Sequence, residues 1–330
     1  MSKVAVLGTT SWGTTLAVLL ARNGVEVALI CRSESEVRNM LASGENRRHR
    51  PGLLFPETLH PTAVLDELND VEALLVAVPS ATLQTNLERV LPFLNPAATV
   101  ISATKGIDVT TGARVSQTIE SMGVDASRLA ALSGPNFAGE IAAGLPAASV
   151  VAGPEAGRVS ALQSLLNSPV FRVYTSNDLP GVELGGALKN VVAIACGLSD
   201  GLGYGDNARA ALITRSLAEI SRLGVAAGAQ VMTFMGLAGI GDIILSCSSD
   251  QSRNRRLGLA IAKGQSLKSY IMGLDSVVEG AVTAQAVPVL TQRYGVEMPI
   301  CEALHAVLYG GKPVDEAVRE LMNRAARPEN

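Results

Sequence analysis

Near the start of the chain, a short apolar run meets a turn of small residues and continues into a helix-like pattern. The stretch is VAVLGTTSWGTTLAVLL, residues 4–20. A strand that enters a helix through the spacing G-x-G-x-x-G is typical of dinucleotide-binding α/β folds, because the glycines allow a tight turn and a close approach to phosphate. Here the spacing runs from Gly8 to Gly13, with Thr10 in the place of the second glycine. Alone, this variant fits a cofactor loop and an ordinary tight turn equally well.

The first 180 residues alternate strand and helix signals. Apolar runs bounded by turn residues predict strands, and the segments between them have helical character. This alternation predicts a Rossmann-type, doubly wound and mostly parallel sheet. The predicted strands are 3–7, 26–31, 73–78, 97–103, 129–132, 149–152 and 171–174, with helices at 12–23 and 33–43.

The character of the chain changes near residue 180, where Pro180 and Gly181 form a natural junction. Beyond it, Ala, Leu and Gly dominate at helical spacing, with few strand signals. We therefore expect a Rossmann-type α/β domain over residues 1–180 and an all-helical domain over residues 181–330. The predicted helices of the second half are 182–198, 207–223, 231–235, 255–262, 278–294 and 300–308.

Composition argues against several functional classes. The net charge of −3 and the 3% aromatic content disfavour a nucleic-acid surface. The four cysteines are far apart and show no metal-ligand spacing, so we expect no metal site and a reduced, cytoplasmic compartment. No apolar run reaches the roughly 18 uncharged residues of a membrane span. The basic run at residues 47–50 is read as a solvated loop, with contact to an anionic cofactor as the minority alternative.

The end of the second predicted strand bears on cofactor choice. About 20 residues past the glycine-rich turn, an acidic residue would hold the ribose 2′-hydroxyl of NAD, whereas an arginine would hold the 2′-phosphate of NADP. Arg32 occupies this place. The alternative is an ordinary solvated arginine at a strand end.

Two lysines and one acid are candidates for chemistry. Lys105 follows a predicted strand, at the edge of the sheet where ligands gather. Lys189 lies in a strongly apolar helix, where a lysine serves acid–base chemistry, pairs with a buried acid or extends to the surface. Asp242, between a glycine and an apolar run, could orient a lysine or substrate hydroxyl, or cap a helix.

A polar and basic segment opens the helix predicted at residues 255–262. Ser252, Arg253 and Asn254 combine a capping hydroxyl, a guanidinium and an amide at a helix N-terminus. Such groups make a plausible phosphate site. The alternative is a capped helix with a basic first turn.

These motifs occur together in a known family. The sequence resembles the bacterial NAD(P)-dependent glycerol-3-phosphate dehydrogenases over nearly its whole length. The matching stretches follow the family's order and spacing: 11–14 (SWGT), 102–106 (SATKG), 132–138 (LSGPNFA), 183–190 (ELGGALKN), 201–207 (GLGYGDN), 236–242 (GLAGIGD), 252–254 (SRN) and 278–280 (VEG).

The resemblance implies reversible hydride transfer between NAD(P)H and dihydroxyacetone phosphate, giving sn-glycerol 3-phosphate for phospholipid synthesis. It also implies that residues 1–180 bind NAD(P) and that residues 181–330 form the substrate and catalytic domain. In that domain, Lys189 is the implied proton donor and acceptor, and Asp242 would orient Lys189 or the substrate hydroxyls. The expected cofactor contacts are Gly8, Thr10 and Gly13 of the turn, with Ser11, Trp12, Arg32, Lys105, Ala138, Arg253, Val277 and Glu279. The implied substrate contacts are Lys105, Gly134, Asn136, Lys189, Asp242, Ser252, Arg253 and Asn254.

Two residues depart from the family's pattern. Thr10 replaces a glycine, and we expect its hydroxyl or backbone N–H to meet the pyrophosphate in a loop shifted slightly outward. Asn136 stands where related sequences often carry Ser or Thr.

The choice between NADH and NADPH stays open, and a homodimer is expected only from the apolar helical second half.

Two rival classes are less consistent with the residues. The β-hydroxyacid dehydrogenases typically place an asparagine one helical turn after the lysine, whereas here Asn190 follows Lys189 directly and Ala193 takes the later place. A dinucleotide sensor without turnover would have no need for the residues at 252–254.

Overall fold

The computed structural model describes residues 2–274, 277–326 and 328–329. Its β-strands are β1 (Lys3–Leu7), β2 (Glu26–Ile30), β3 (Leu59–Thr62), β4 (Ala73–Val76), β5 (Thr99–Ser102), β6 (Leu129–Ser133), β7 (Ala147–Ala152) and β8 (Phe171–Ser176). Its α-helices are α1 (Ser11–Arg22), α2 (Glu34–Ser43), α3 (Leu83–Val90), α4 (Val115–Ser121), α5 (Ala138–Ala142), α6 (Ala156–Leu166), α7 (Leu179–Gly201), α8 (Gly205–Ala226), α9 (Val231–Phe234), α10 (Asp242–Ser248), α11 (Arg253–Ala262), α12 (Leu267–Met272), α13 (Glu279–Tyr294), α14 (Pro299–Tyr309) and α15 (Val314–Met322).

The strands form one sheet in the order β3-β2-β1-β4-β5-β6-β7-β8. All neighbours are parallel except β6 and β7. Strands such as β4 and β5 are buried along their whole length, because helices cover both faces and leave no polar side. The predicted doubly wound, mostly parallel sheet is confirmed.

The sequence reading missed the edge strand β3. Its residues LHPT include a histidine and a proline, and proline lacks the N–H that a central strand would need. At the edge of the sheet this loss is tolerated, because one side of the strand has no neighbour. Pairing with β2, in register Leu29 opposite Pro61, therefore defines a strand that has almost no strand signal of its own.

The residues divide into two compact units. One contains the chain up to Lys105 together with Arg114–Glu183, and the other contains Gly106–Ala113 with the chain from Leu184 onward. The division expected at residue 180 falls inside α7, three residues before this boundary. The sequence did not predict that residues 106–113 belong to the helical unit. This segment contacts the unit, where Arg293 donates to the Thr111 carbonyl at 3.0 Å.

The second unit is helical and has its own apolar core. Its central helix is α7, a stretch long and apolar enough to cross a membrane, but 94% buried inside the protein. A second such stretch, Val231–Ser248, is 39% buried, and it is not one continuous α-helix because Gly239 has non-helical dihedral angles. Burial of α7 and the interruption at Gly239 make both stretches weak evidence for a membrane span.

Candidate active site

The loop between β1 and α1 has a shape that only glycine permits at two positions. Gly8 has φ of +116°, and a Cβ there would lie 2.7 Å from the Ala77 carbonyl oxygen. A Cβ on Gly13 would lie 2.0 Å from the Gly8 carbonyl oxygen. The backbone of this turn is therefore packed against itself and against the end of β4, which is the tight turn that a dinucleotide loop requires.

Thr10 is the N-cap of α1. Its hydroxyl accepts the Gly13 N–H at 3.1 Å and donates to the Ala77 carbonyl at 2.9 Å. The hydroxyl proton is thus committed inside the protein. The Thr10 backbone N–H is then the group of this residue that a phosphate could meet.

The N-terminus of α1 provides a place for an anion. Ser11 and Trp12 are its first two helical residues, and N–H groups at these positions precede the intrahelical hydrogen bonds. They carry the positive end of a 12-residue helix. Ala138, the first residue of α5, is brought to this helix because the Thr15 hydroxyl lies 3.4 Å from its carbonyl oxygen. The glycine-only turn and this helix end fit a dinucleotide pyrophosphate.

The basic segment at residues 47–50 is tied to the same loop. The buried Asn46 side chain donates to the Thr9 carbonyl and to the Thr14 hydroxyl, each at 2.8 Å. Its oxygen accepts the His49 N–H at 3.2 Å. Asn46 therefore places the basic segment beside the loop after β1, and contact of this segment with an anionic cofactor stays a prediction.

Beyond β2, the side chain of Arg32 is exposed. Its backbone N–H donates to a carboxylate oxygen of Glu36 at 2.9 Å, and the Thr9 hydroxyl donates to the other oxygen at 2.5 Å. Ser33 caps α2 by accepting the Glu36 N–H. The sequence identified Arg32 and a helix beginning at residue 33, but not the link that Glu36 makes to the first loop.

A second group of predicted residues surrounds the end of β6. The Lys105 ammonium donates to the Gly134 carbonyl at 3.0 Å. Gly134 has φ of +149°, and a Cβ there would lie 3.0 Å from the Ser149 Cα. The Asn136 amide donates to the Ser149 hydroxyl at 3.0 Å, whereas its own side-chain oxygen is buried without a partner. That orphaned acceptor suits a hydroxyl of a small substrate.

In the helical unit, Lys189 is the centre of a buried polar cluster. Its ammonium donates to Asp242 Oδ1 at 2.7 Å and to Ser246 Oγ at 2.6 Å, and Ser246 Oγ lies 3.3 Å from the same carboxylate oxygen. Lys189 is 8% exposed and Asp242 is 1% exposed. The sequence left open whether Lys189 pairs with a buried acid or serves acid–base chemistry. The structure shows the pairing with Asp242, and the same arrangement fits acid–base chemistry.

Small residues one helical turn before each partner bring this cluster together. Gly185 precedes Lys189 by four residues, and Ala238 precedes Asp242 by four. A Cβ on Gly185 would lie 2.5 Å from the Ala238 carbonyl oxygen. The two segments approach closely at these positions, so the next turn of each can place a short ion pair.

The start of α11 lies beside this cluster. Ser252 caps the helix by accepting the Arg255 N–H at 3.3 Å. The Asn254 amide donates to Asn190 Oδ1 at 2.8 Å, and Asn254 Oδ1 accepts the Gly280 N–H at 2.9 Å. Asn254 thus links the residue next to Lys189 to the first turn of α13.

Arg253 presents a positive charge at the same helix end. Its side chain is exposed and lies within electrostatic reach of Glu279. Val277 and Glu279 are both half-buried. Val277 lies two residues before α13, and Glu279 is the first residue of this helix. Within the helical unit, the predicted residues from Ser252 to Glu279 therefore gather around the ends of α11 and α13.

In the described part of the chain, no group of three or more His, Cys, Asp or Glu side chains could hold a metal ion. All four cysteines are free and buried.

Family models match both halves of the chain. The N-terminal model of NAD-dependent glycerol-3-phosphate dehydrogenase matches residues 3–158, and the C-terminal model matches residues 178–319. The chain belongs to this family. Glycerol-3-phosphate dehydrogenase [NAD(P)+] of Moorella thermoacetica is 46% identical over 97% of this chain and 96% of the relative. The protein of the same name from Thioalkalivibrio sulfidiphilus is 47% identical over 99% of this chain and 98% of the relative.

A solved structure of the family shares the fold. The crystal structure of glycerol-3-phosphate dehydrogenase from Coxiella burnetii is 38% identical, with a TM-score of 0.91, and covers 98% of this chain and 99% of that one. Membership in the glycerol-3-phosphate dehydrogenase family confirms the sequence-based identification, the oxidoreductase class and the use of NAD(P). The roles of individual residues stay predictions.

Several polar residues that hold the predicted residues and their neighbours in place were not predicted from the sequence. Ser246 follows Asp242 by four residues, so it lies on the same helical face, and this spacing could have revealed it. Asn190 was noted only as a neighbour of Lys189. Glu36 and Asn46 act through contacts with the distant Thr9, for which the sequence offers no signal.

Proposed function

We propose that this chain interconverts dihydroxyacetone phosphate and sn-glycerol 3-phosphate with NAD(P)H, supplying a precursor of glycerophospholipids. The observation that carries the proposal is the buried lysine ammonium of Lys189, held by Asp242 and Ser246, in a chain whose first loop fits a dinucleotide. Reduction of a ketone needs a hydride, a proton and a polarised carbonyl. Bound NAD(P)H would supply the hydride.

Lys189 supplies the other two requirements. An ammonium has three N–H donors, and two of them are directed to Asp242 and Ser246. The third is then left for the C2 oxygen of the substrate, where it polarises the carbonyl and delivers the proton as the alcohol forms. In the reverse direction the neutral amine takes the proton back. Asp242 and Ser246 orient the amine.

The N-terminus of α11 suits the phosphate of the substrate. Arg253 and Asn254 place backbone N–H groups and one exposed guanidinium at the positive end of a ten-residue helix, which Ser252 caps. The Asn254 side chain is already bonded to Asn190 and Gly280, so its contribution is to fix this helix end beside Lys189. Arg253 is then the charged group that distinguishes a phosphorylated substrate.

Steady-state kinetics test the proposal directly. We expect dihydroxyacetone-phosphate-dependent oxidation of NADH and NADPH by the purified protein. Dihydroxyacetone without the phosphate should react at least a hundredfold less efficiently in kcat/KM, since the contacts at α11 are lost. Cofactor binding without turnover would support the sensor alternative. Equal rates with the unphosphorylated ketone would contradict the role of α11.

A homodimer and a cytoplasmic location complete the proposal. Exposed apolar side chains in the helical unit support association: Met232 is 72% exposed, Ile244 is 52% exposed and Met235 is 47% exposed. Light scattering during gel filtration tests it, with a mass of twice 34.2 kDa expected. A mass of one chain at micromolar concentration would contradict it.

A further inference from the structure

Glu36 lies between the two segments that frame the adenosine end of a dinucleotide site. It accepts one hydrogen bond from the Thr9 hydroxyl in the loop after β1, and another from the Arg32 N–H just past β2. Both donors are neutral, so they fix the carboxylate without compensating its charge. Within the described residues, the hydrogen bonds of this carboxylate are these two, and it has no ion-pair partner.

This position is where a dinucleotide fold reads the ribose. In such folds the adenosine ribose lies beyond the end of the second strand, and an acid there accepts hydrogen bonds from its hydroxyls. Arg32, two residues past the end of β2, occupies the usual place of this acid, so the expected acid is missing there. Glu36 supplies a carboxylate from the first turn of α2, four residues later. Two of its approximately four acceptor positions are used, which leaves two for neighbouring hydroxyls.

Glu36 and Arg32 carry opposite charges at this one place. The Arg32 guanidinium is exposed, and within the described part of the chain it has no ion-pair partner. We propose that Glu36 is a specificity-determining residue that selects the free ribose 2′-hydroxyl of NADH, against Arg32, which selects the 2′-phosphate of NADPH. This inference rests on the proposed use of NAD(P) by this chain. It explains why neither cofactor is excluded by the sequence.

A purely structural role of Glu36 makes a different prediction. Its contacts to Thr9 and Arg32 also tie α2 to the first loop, and loss of that tie would weaken NADH and NADPH together. A charge that faces the ribose instead weakens one cofactor and strengthens the other. The ratio of the two dissociation constants therefore separates the two roles.

The decisive variant is Glu36→Gln, which keeps the size of the side chain and one acceptor oxygen. Calorimetric titration with NADH and NADPH needs no turnover. The ratio of Kd for NADH to Kd for NADPH should rise at least tenfold, which is about 1.4 kcal/mol. ADP and adenosine 2′,5′-bisphosphate, used as fragments, should change in the same direction. An unchanged ratio, or equal weakening of both cofactors, overturns the proposal.

Glu34→Gln is the matched control, because Glu34 is an exposed acid in the same helical turn and its removal changes the net charge equally. In Glu34→Gln, we expect the ratio of Kd for NADH to Kd for NADPH to change less than twofold. Arg32→Ala should act in the opposite sense, with NADPH weakened about tenfold and NADH less than twofold. A shift in Glu34→Gln as large as that in Glu36→Gln would show a long-range charge effect and overturn the proposal.

A further variant and a separate readout keep the result interpretable. If Glu36→Gln does not fold, Glu36→Asp retracts the carboxylate by one methylene and should raise the ratio twofold to fivefold; an unchanged ratio overturns the proposal. A wild-type chain that reduces dihydroxyacetone phosphate, with no ratio shift in the variants, contradicts this inference alone. A ratio shift in a chain without turnover supports it and contradicts the proposed function.

Discussion

The loop after β1 and the cluster around Lys189 are built in opposite ways. The loop from Gly8 to Gly13 is made of consecutive residues, and its function depends on backbone shape and on positions where no side chain fits. The cluster joins Lys189 to Asp242, 53 residues away, through side chains that are almost fully buried. A shape formed by consecutive residues is visible as one motif in the sequence, whereas Lys189 and Asp242 lie in two separate motifs whose contact depends on packing.

The largest effect should come from the cluster. Lys189→Ala removes the proposed proton donor, and we expect kcat to fall by about a thousandfold, within the range of general acid–base catalysis. The Kd for NADH should change less than threefold, because the cofactor loop is untouched. Lys268→Ala, which removes an exposed lysine, is the control and should leave both values unchanged. Near-normal turnover in Lys189→Ala would refute its assigned role.

The next largest effect should come from the loop, and it should appear in the Kd for NADH rather than in kcat. Gly13→Ala places a methyl group where the Gly8 carbonyl oxygen would be only 2.0 Å away. The turn must open, so we expect the Kd for NADH to rise at least a hundredfold by calorimetry. Gly157→Ala is the control, since a Cβ there meets nothing within 4 Å. Cofactor binding within threefold of wild type would show that the turn tolerates a side chain.

A buried acid outside both regions should make the free energy of unfolding depend on pH. Burial raises the pKa of Glu219 from 4.5 to about 7, although it accepts the Ile300 and Cys301 N–H groups at the start of α14. The folded state then holds a proton that the unfolded state releases between pH 4.5 and 7. The free energy of unfolding should therefore fall by about 2 kcal/mol as pH rises from 5 to 7.

Urea unfolding at several pH values measures this dependence. Glu219→Gln keeps an acceptor for the two N–H groups and cannot ionise, so that part of the slope should vanish. Glu302→Gln, an exposed acid in the first turn of α14, should retain it. The same slope in wild type and Glu219→Gln would assign the titration to another group.

The smallest effect is expected at Thr10. Its hydroxyl caps α1 and is bonded to Ala77, so Thr10→Gly should lower the free energy of unfolding by about 1 kcal/mol or less. Cofactor affinity should change less than tenfold, measured by the same titration as for Gly13→Ala. A gain of more than tenfold would show that Thr10 hinders the cofactor and is a tolerated substitution.

These regions also show what the sequence could predict. The strands, the helical second half and the cofactor loop follow from apolar periodicity and from glycines, which act locally. The edge strand β3 was missed because its pairing with β2 defines it rather than its own residues. The hydroxyl or the backbone N–H of Thr10 was expected at the pyrophosphate; the hydroxyl is bonded to Ala77, 67 positions away, which leaves the N–H alternative. Ser246 and Glu36 likewise depend on packing between distant segments.

We propose that Lys189, Asp242 and Ser246 act as one proton-transfer unit. A double-mutant cycle on kcat with Lys189→Ala and Asp242→Asn tests it most directly, since residues that act as a unit are strongly non-additive. If Asp242 works by orienting Lys189, the double variant should be no more than about threefold slower than Lys189→Ala alone. If the two single effects multiply in the double variant, Asp242 acts independently of Lys189, and the account of this cluster is contradicted.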